Sequence, residues 1–340
     1  MIARQTLEIF GVVKFLASLV FLLFSLCVAA GTWWLQHPLN LRSALIEFQV
    51  TPGMSGRAVA QTLADSGVEV HPTLLYGWLR LSGQSRSVKA GAYEISGHPS
   101  PRELVAKLVK GEVAMRTVTL VEGLTFRQWR ETLRKAENLR IDTQGMSDAD
   151  IMAKLGRAGQ HPEGRFFPET YSYAKGSSDL TLMQKALQEM DAQLAAAWAQ
   201  RAPNSPLKSA DEALILASII EKETGRPSDR GLISGVFNNR LRIGMPLQTD
   251  PTVIYGLGEK FDGNLRRRDL KTDTPWNTYT RPGLPPTPIA MPGLAALRAA
   301  VQPDSTKALY FVARGDGTSE FSATLEDHNR AVRKFQLGGR

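Results

Sequence analysis

From Phe15 to Trp34 the chain reads FLASLVFLLFSLCVAAGTWW, 20 residues without one charged side chain. At roughly 1.5 Å of rise per residue, a helix of that length spans about 30 Å, the thickness of a bilayer's hydrocarbon core. A segment with no polar face cannot lie on the surface of a water-soluble fold, so this run constrains everything after it. Arg4 and Lys14 precede it, and Trp33 and Trp34 close it as an interfacial aromatic belt. The run exceeds the roughly 7–15-residue apolar core of a secretory signal, which favours an uncleaved anchor. The small residues Cys27-Val28-Ala29-Ala30-Gly31 keep a cleaved signal open as the competing possibility. Arg42 is the first basic residue beyond the run. Positive-inside logic then predicts a cytoplasmic stub over residues 1–14, a transmembrane helix over 15–36, and the remainder outside the cytoplasmic membrane.

With 340 residues, 43% hydrophobic and 22% charged, the rest of the chain has ordinary globular composition and room for about two domains. The net charge of +8 suits an anionic surface or polymer. Its basic residues are scattered, with no Lys/Arg tract interleaved with aromatics, so nucleic acid is not expected as a partner. A single cysteine, Cys27, excludes an intrachain disulfide and a CxxC metal or redox motif. The five histidines, His37, His71, His98, His161 and His328, lie far apart and form no HExxH. Neither a metal nor an organic cofactor is therefore expected.

The pattern predicts an α+β chain: one transmembrane helix, a small α/β module over residues 44–115, and a larger α+β domain over 116–338. In the small module, residues 45–50 and 89–95 read as strands, and 59–64 and 74–81 as helices. Ser100-Pro101-Arg102-Glu103 reads as a capping box with Pro at the first helical position, and Gly111 closes that helix. In the larger domain, 116–121 is a strand candidate, 126–139 an amphipathic helix, and 140–160 polar with helical tendency. An aromatic cluster over 164–173 interrupts the pattern. A long helix is predicted over 180–202, a loop-dominated region over 240–300, and a last strand over 308–313.

The stretch from Asp211 to Gly225 carries most information. It opens with acids, ends on glycine and is apolar nearly all round, which predicts a buried helix. At about 100° per residue, Glu223 shares a face with Leu216, Ile219 and Ile220, whereas Glu221 falls near Ala217 and Ser218. A carboxyl on an apolar face has its charged form disfavoured and its pKa raised towards a general acid's range. Spacing alone leaves open the plainer possibility that Glu223 is a helix-end acid paired with an arginine. Farther on come Gln248-Thr249-Asp250-Pro251, Trp276-Asn277-Thr278-Tyr279 and Gly283-Leu284-Pro285-Pro286-Thr287-Pro288. Amides, hydroxyls and rings gathered in long Pro/Gly-shaped loops suit a sugar-binding cleft, although each residue singly fits ordinary loop capping.

The runs ASIIEKETG, VFNNRLRIGMPLQTDPTVIYGLG and NTYTRPGLPPTPIAMPG resemble the MltG (YceG-like) family of endolytic murein transglycosylases. The resemblance extends from the anchor to the segment around His328 and Asn329. It implies a single-pass inner-membrane protein with a LysM-like module and a periplasmic catalytic domain. It implies cleavage of the β-1,4 bond between N-acetylmuramic acid and N-acetylglucosamine in nascent peptidoglycan, leaving 1,6-anhydro ends and terminating glycan elongation. The glutamate before Thr in the EKET run maps onto Glu223 as the catalytic residue. Gln248, Asp250, Asn277 and Tyr279 match the cleft motifs as substrate-binding residues. Peptidoglycan synthases are implied as possible partners. Two alternatives stand beside this one. The chain could be a non-catalytic, membrane-tethered peptidoglycan-binding scaffold, or a lysozyme-like hydrolase with Asp250 as a second carboxylate.

Overall fold

A computed structural model describes residues 2–338 of the chain, with side chains from residue 14 onward. Helix α1 (Ile2–Gln36) contains the charge-free run, and its segment Lys14–Gln36 has a mean hydropathy of 2.3 with none of its apolar window buried in the protein. A core helix of the same composition would be covered by other elements. Here Phe15, Phe21 and Phe24 stand 68%, 72% and 66% exposed, as a helix whose solvent is lipid would.

The chain divides into two compact units, one containing α1 and reaching to Arg116 with Ala174–Gly176 added, the other made of Thr117–Tyr173 and the chain from Ser177 onward. In the first unit, strand β1 (Leu45–Val50) buries Ile46, Phe48 and Val50 and exposes the alternate residues, the period of a strand with one covered face. Helices α2 (Gly56–Asp65) and α3 (Pro72–Leu81) follow, and β2 (Gly91–Ser96) returns antiparallel to β1 from Leu45↔Ser96 to Val50↔Gly91. Helix α4 (Pro101–Lys110) opens on the capping box. Ser100 Oγ accepts from Glu103 N at 3.3 Å, and the Glu103 carboxylate accepts from Ser100 N at 2.8 Å. Gly111 ends it at φ 76°, a left-handed turn that a side chain would disfavour.

The second unit begins within β3 (Met115–Thr119), which pairs with β4 (Thr170–Ala174). Helices α5 (Phe126–Arg134), α6 (Asp148–Lys154) and α7 (Asp179–Ala199) follow in chain order. Trp129, Ile151, Phe166, Tyr173 and Leu187 form one apolar core among them. A second core joins the far half of α7 to α8 (Ala210–Glu223), α9 (Arg230–Arg242) and the helical run Leu294–Val301 through Leu194, Leu216, Ile219, Phe237 and Leu297. Short helices α10 (Asp250–Leu257), α11 (Arg267–Lys271) and α12 (Leu294–Val301) punctuate the loops that follow. The chain closes with the hairpin β5 (Tyr310–Ala313) and β6 (Ser319–Ser322), then α13 (Leu325–Phe335).

Several expectations shift. The amphipathic helix predicted to reach 139 stops at Arg134, and only 148–154 of the polar stretch 140–160 is helical. The aromatic cluster supplies β4, whose Tyr171 and Tyr173 point inward. The loop region 240–300 contains three helices. Pro251 at the first turn starts α10, and the Ala/Leu-rich run 294–301 is a strong helix former. Helix α9 was not legible because Gly231 and Gly235 interrupt its pattern. Gly235 has a packing reason, since a Cβ there would come within 2.8 Å of the Asp304 carbonyl oxygen.

Candidate active site

Helix α8 starts at Ser209, whose Oγ accepts from Glu212 N at 3.2 Å, and Asp211 and Glu212 sit in its first turn. Leu216, Ala217, Ser218, Ile219 and Ile220 are all fully buried. Burial of each bulky aliphatic side chain contributes about 1.5–3 kcal/mol, which pins the helix axially and rotationally. Ser218 does not leave a polar defect in that core. Its Oγ donates to Ile215 O at 2.7 Å and accepts from Ile289 N at 3.0 Å.

The last turn gives the two glutamates different surroundings. Glu221 Oε2 accepts from Gly293 N at 2.9 Å, the N-cap position of α12, so this carboxylate serves a helix N-terminus. Among the described residues Glu223 has no cationic partner within salt-bridge distance, so its surroundings there are not those of a helix-end ion pair. Its Oε1 accepts a hydrogen bond from Thr249 Oγ1. Burial raises the Glu223 pKa above the ordinary carboxyl value; the Thr249 hydroxyl opposes this, the Asp250 charge adds to it, and the Arg240 charge opposes it.

Thr249 is held by the loop facing it. Thr249 N donates to Thr278 Oγ1 at 3.1 Å, Gln248 N donates to Thr278 O at 3.1 Å, and Thr252 Oγ1 lies 2.9 Å from Thr278 Oγ1. Asn277, fully buried, shapes that loop. Its Nδ2 donates to Thr272 O at 2.7 Å and Leu270 O at 3.1 Å, and its Oδ1 accepts from Tyr279 N at 2.9 Å. Tyr279 in turn donates its hydroxyl to Asp250 Oδ1 at 2.6 Å. Gln248 is exposed at φ 47°, a left-handed conformation uncommon outside glycine, asparagine and aspartate. The four residues singled out around Glu223 thus divide. Gln248 is exposed, Asp250 and Tyr279 form one pair, and the Asn277 amide is taken up by backbone.

Two residues of this constellation were not singled out from sequence. Thr249 lies between Gln248 and Asp250, and its hydroxyl, the Glu223 donor, was passed over as ordinary loop chemistry. Arg240 is 6% exposed, with Nε donating to Leu309 O at 2.6 Å and Nη1 to Leu247 O at 2.7 Å, and its guanidinium lies 5.3 Å from the Tyr310 ring centre. A cation this buried with no carboxylate salt bridge among the described residues is unusual, and nothing in the sequence sets it apart from Arg230 and Arg242 in the same helix. Among the described residues no group of three or more His, Cys, Asp or Glu side chains is placed to hold a metal ion.

A family model described as the YceG-like family matches residues 48–334. An endolytic murein transglycosylase of Bacillus subtilis (strain 168) is 30% identical over 314 residues, covering 85% of this chain and 84% of that protein. A protein of the same name from Streptococcus pneumoniae (strain D39) is 28% identical over 320 residues, covering 83% of this chain but only 57% of the pneumococcal protein. A crystal structure of a YceG-like protein from Listeria monocytogenes superposes with a TM-score of 0.52 at 29% identity, covering 84% of this chain and 98% of that one.

Proposed function

The chain belongs to the YceG-like family, and from that premise we propose that it is an endolytic murein transglycosylase, cutting peptidoglycan glycan strands with Glu223 as acid and then base. The observation that carries this reading is one desolvated carboxyl at the end of a rigid helix, served by a hydroxyl rather than a cation. Protonated, Glu223 donates to the glycosidic oxygen as the C1–O bond to the leaving sugar breaks. The C6 hydroxyl of the same muramyl ring then closes on C1, and its proton passes to the Glu223 carboxylate. One proton cycles, no water is consumed, and the strand ends in a 1,6-anhydro ring.

Glycosidases that use water as nucleophile divide the work between two carboxylates. Asp250, the candidate for a second one, is exposed and engaged by the Tyr279 hydroxyl, which favours the single-carboxylate route. In this reading Thr249 steadies the ionised form of Glu223 between the two proton transfers, and Gln248, Asp250 and Tyr279 face the substrate. Asn277 acts by holding the Thr278 and Tyr279 backbone in place.

The N-terminal helix is read as a single-pass anchor with its N-terminus cytoplasmic and the two units periplasmic at the inner membrane. The β1-α2-α3-β2 order of the first unit supports a LysM-like, wall-facing role for it. Termination of nascent strands beside peptidoglycan synthases fits an endolytic enzyme so tethered. Digestion of purified sacculi, followed by mass spectrometry, tests the reaction. New anhydro-muramyl ends are expected from the wild type, and a digest with no new ends at all would instead make the chain a glycan-binding scaffold.

A further inference from the structure

Helix α10 has two faces. Thr249 and Asp250 at its start serve Glu223 and Tyr279, whereas Pro251, Ile254, Tyr255 and Gly258, at i, i+3, i+4 and i+7, line a separate cavity of about 700 Å³. Lys222, one residue from Glu223 and about 100° round α8, lines the same cavity, which therefore flanks the acid without containing it.

The rings of Tyr255, Phe261 and Trp276 wall the cavity. Tyr255 and Trp276 meet edge to face with centroids 5.5 Å apart, and Trp276 Nε1 donates to Thr287 Oγ1 at 2.9 Å, so both are fixed. Phe261 differs: it belongs to none of the packed apolar clusters of the described residues, yet it lines this space and a smaller neighbouring one. The polar side is built as well. Glu163 is 3% exposed; its Oε1 accepts from Phe126 N at 2.9 Å and its Oε2 from the Tyr255 hydroxyl at 3.1 Å, leaving acceptor capacity on a fixed carboxyl. Gly164 after it is locked at φ 77°, where a Cβ would lie 2.5 Å from Pro288 Cβ. His161 Nδ1 accepts from Glu163 N at 3.2 Å, so in the neutral ring Nε2 carries the proton and donates.

Two of the charged side chains lining the cavity are in ion pairs, and a third is tied to backbone. Arg127 pairs with Glu259 at 2.5 Å, Asp148 with Arg130 at 3.1 Å, and Lys222 Nζ donates to Gly123 O at 3.1 Å. The space suits a neutral occupant rich in hydroxyls and amides, with flat faces for the rings and hydrogen-bonding edges for the carboxyl and imidazole. We propose that this cavity is a saccharide subsite for the N-acetylhexosamine units next to the bond being cut, with Phe261 as its stacking platform and Glu163 as its floor acceptor. Glu163 is then a specificity residue. It orients the strand by an amide N–H or hydroxyl and takes no part in bond cleavage. Burial raises the Glu163 pKa to about 7, so near neutrality the group is available both as donor and as acceptor.

This inference rests on the glycan reading of Glu223, and the test separates the two. Full-length Glu223→Gln protein in detergent is titrated with a peptide-free GlcNAc–MurNAc tetrasaccharide and, separately, with the free stem peptide, by calorimetry. Adding Phe261→Ala is expected to weaken tetrasaccharide binding about tenfold with the melting temperature nearly unchanged, and Glu163→Gln to weaken binding by a similar factor. In the active background, Phe261→Ala is expected to raise KM with kcat nearly unchanged. Unaltered tetrasaccharide affinity in both variants, or no measurable affinity while wild type still yields anhydro ends, overturns the subsite and leaves the catalytic reading standing. Loss of stem-peptide binding in place of saccharide binding overturns it too, reassigning the cavity to the peptide. Absence of both tetrasaccharide binding and anhydro products defeats both readings together.

Discussion

Glu223 and Glu221 sit two positions apart on one helix, and their surroundings give them opposite work. Glu221 caps α12 through Gly293 N; Glu223→Gln keeps the shape of its neighbour site but removes the proton, and general acid–base catalysis is worth about 10²–10⁴-fold. Turnover on sacculi is therefore expected to fall by at least about 10²-fold in that variant, with unchanged circular dichroism. Thr249→Val removes the hydroxyl that favours the ionised Glu223. The Glu223 pKa then rises further, and because the first step needs the protonated acid, the alkaline limb of the kcat/KM profile is expected to move to higher pH. A third expectation concerns Glu163. Its folded pKa of about 7 lies above its ordinary 4.5, chiefly through burial, with the Phe126 N–H and Tyr255 hydroxyl opposing and Asp148 adding to the rise. The folded state then holds more protons between those values, so stability is full below pH 4.5 and declines as pH rises towards 7, by up to about 3 kcal/mol. Denaturant titrations at pH 5 and pH 7.5 are expected to show this decline, and Glu163→Gln to lessen it.

At the scale of elements, the sequence was most legible where one local rule decided the outcome. The charge-free run became α1, Ser100-Pro101-Arg102-Glu103 became a capped α4, and the apolar run after Asp211 became α8, each within a residue or two at the boundary that chemistry sets. Helices α9 and α10 were less legible because tertiary packing decides them. Gly235 is tolerated in α9 for the close approach of Asp304, and α10 begins where Thr278 fixes Thr249 from 29 residues away. The site followed the same division. Periodicity could set Glu223 apart from Glu221, and the loop motifs could gather Gln248, Asp250, Asn277 and Tyr279. No local pattern could say that the Asn277 amide is taken up by the Leu270 and Thr272 carbonyls, or that Thr249 is the residue touching the acid. One element-level test follows from the Glu221 cap. Glu221→Ala leaves Gly293 N without its acceptor and is expected to lower unfolding stability by about 1–2 kcal/mol while glycan cleavage persists.

Over the whole molecule, an apolar helix whose hydrophobic window is unburied leads into two units that each carry their own core. Such a chain is expected to sediment with membranes and to resist high-salt and carbonate extraction, coming into solution only with detergent; release by salt alone would show the helix is not a span. The proposal joins this helix as a membrane tether to Glu223 as the acid and base of a peptidoglycan-cutting enzyme, and the single-carboxylate chemistry is the centre of that account. Mass spectrometry of the ends released from purified glycan by wild type and Glu223→Gln, side by side, tests it most directly. The account expects anhydro-muramyl ends, each one water lighter than a reducing end, from wild type and essentially none from the variant. Reducing ends from wild type, or anhydro ends at the wild-type rate from Glu223→Gln, would contradict it.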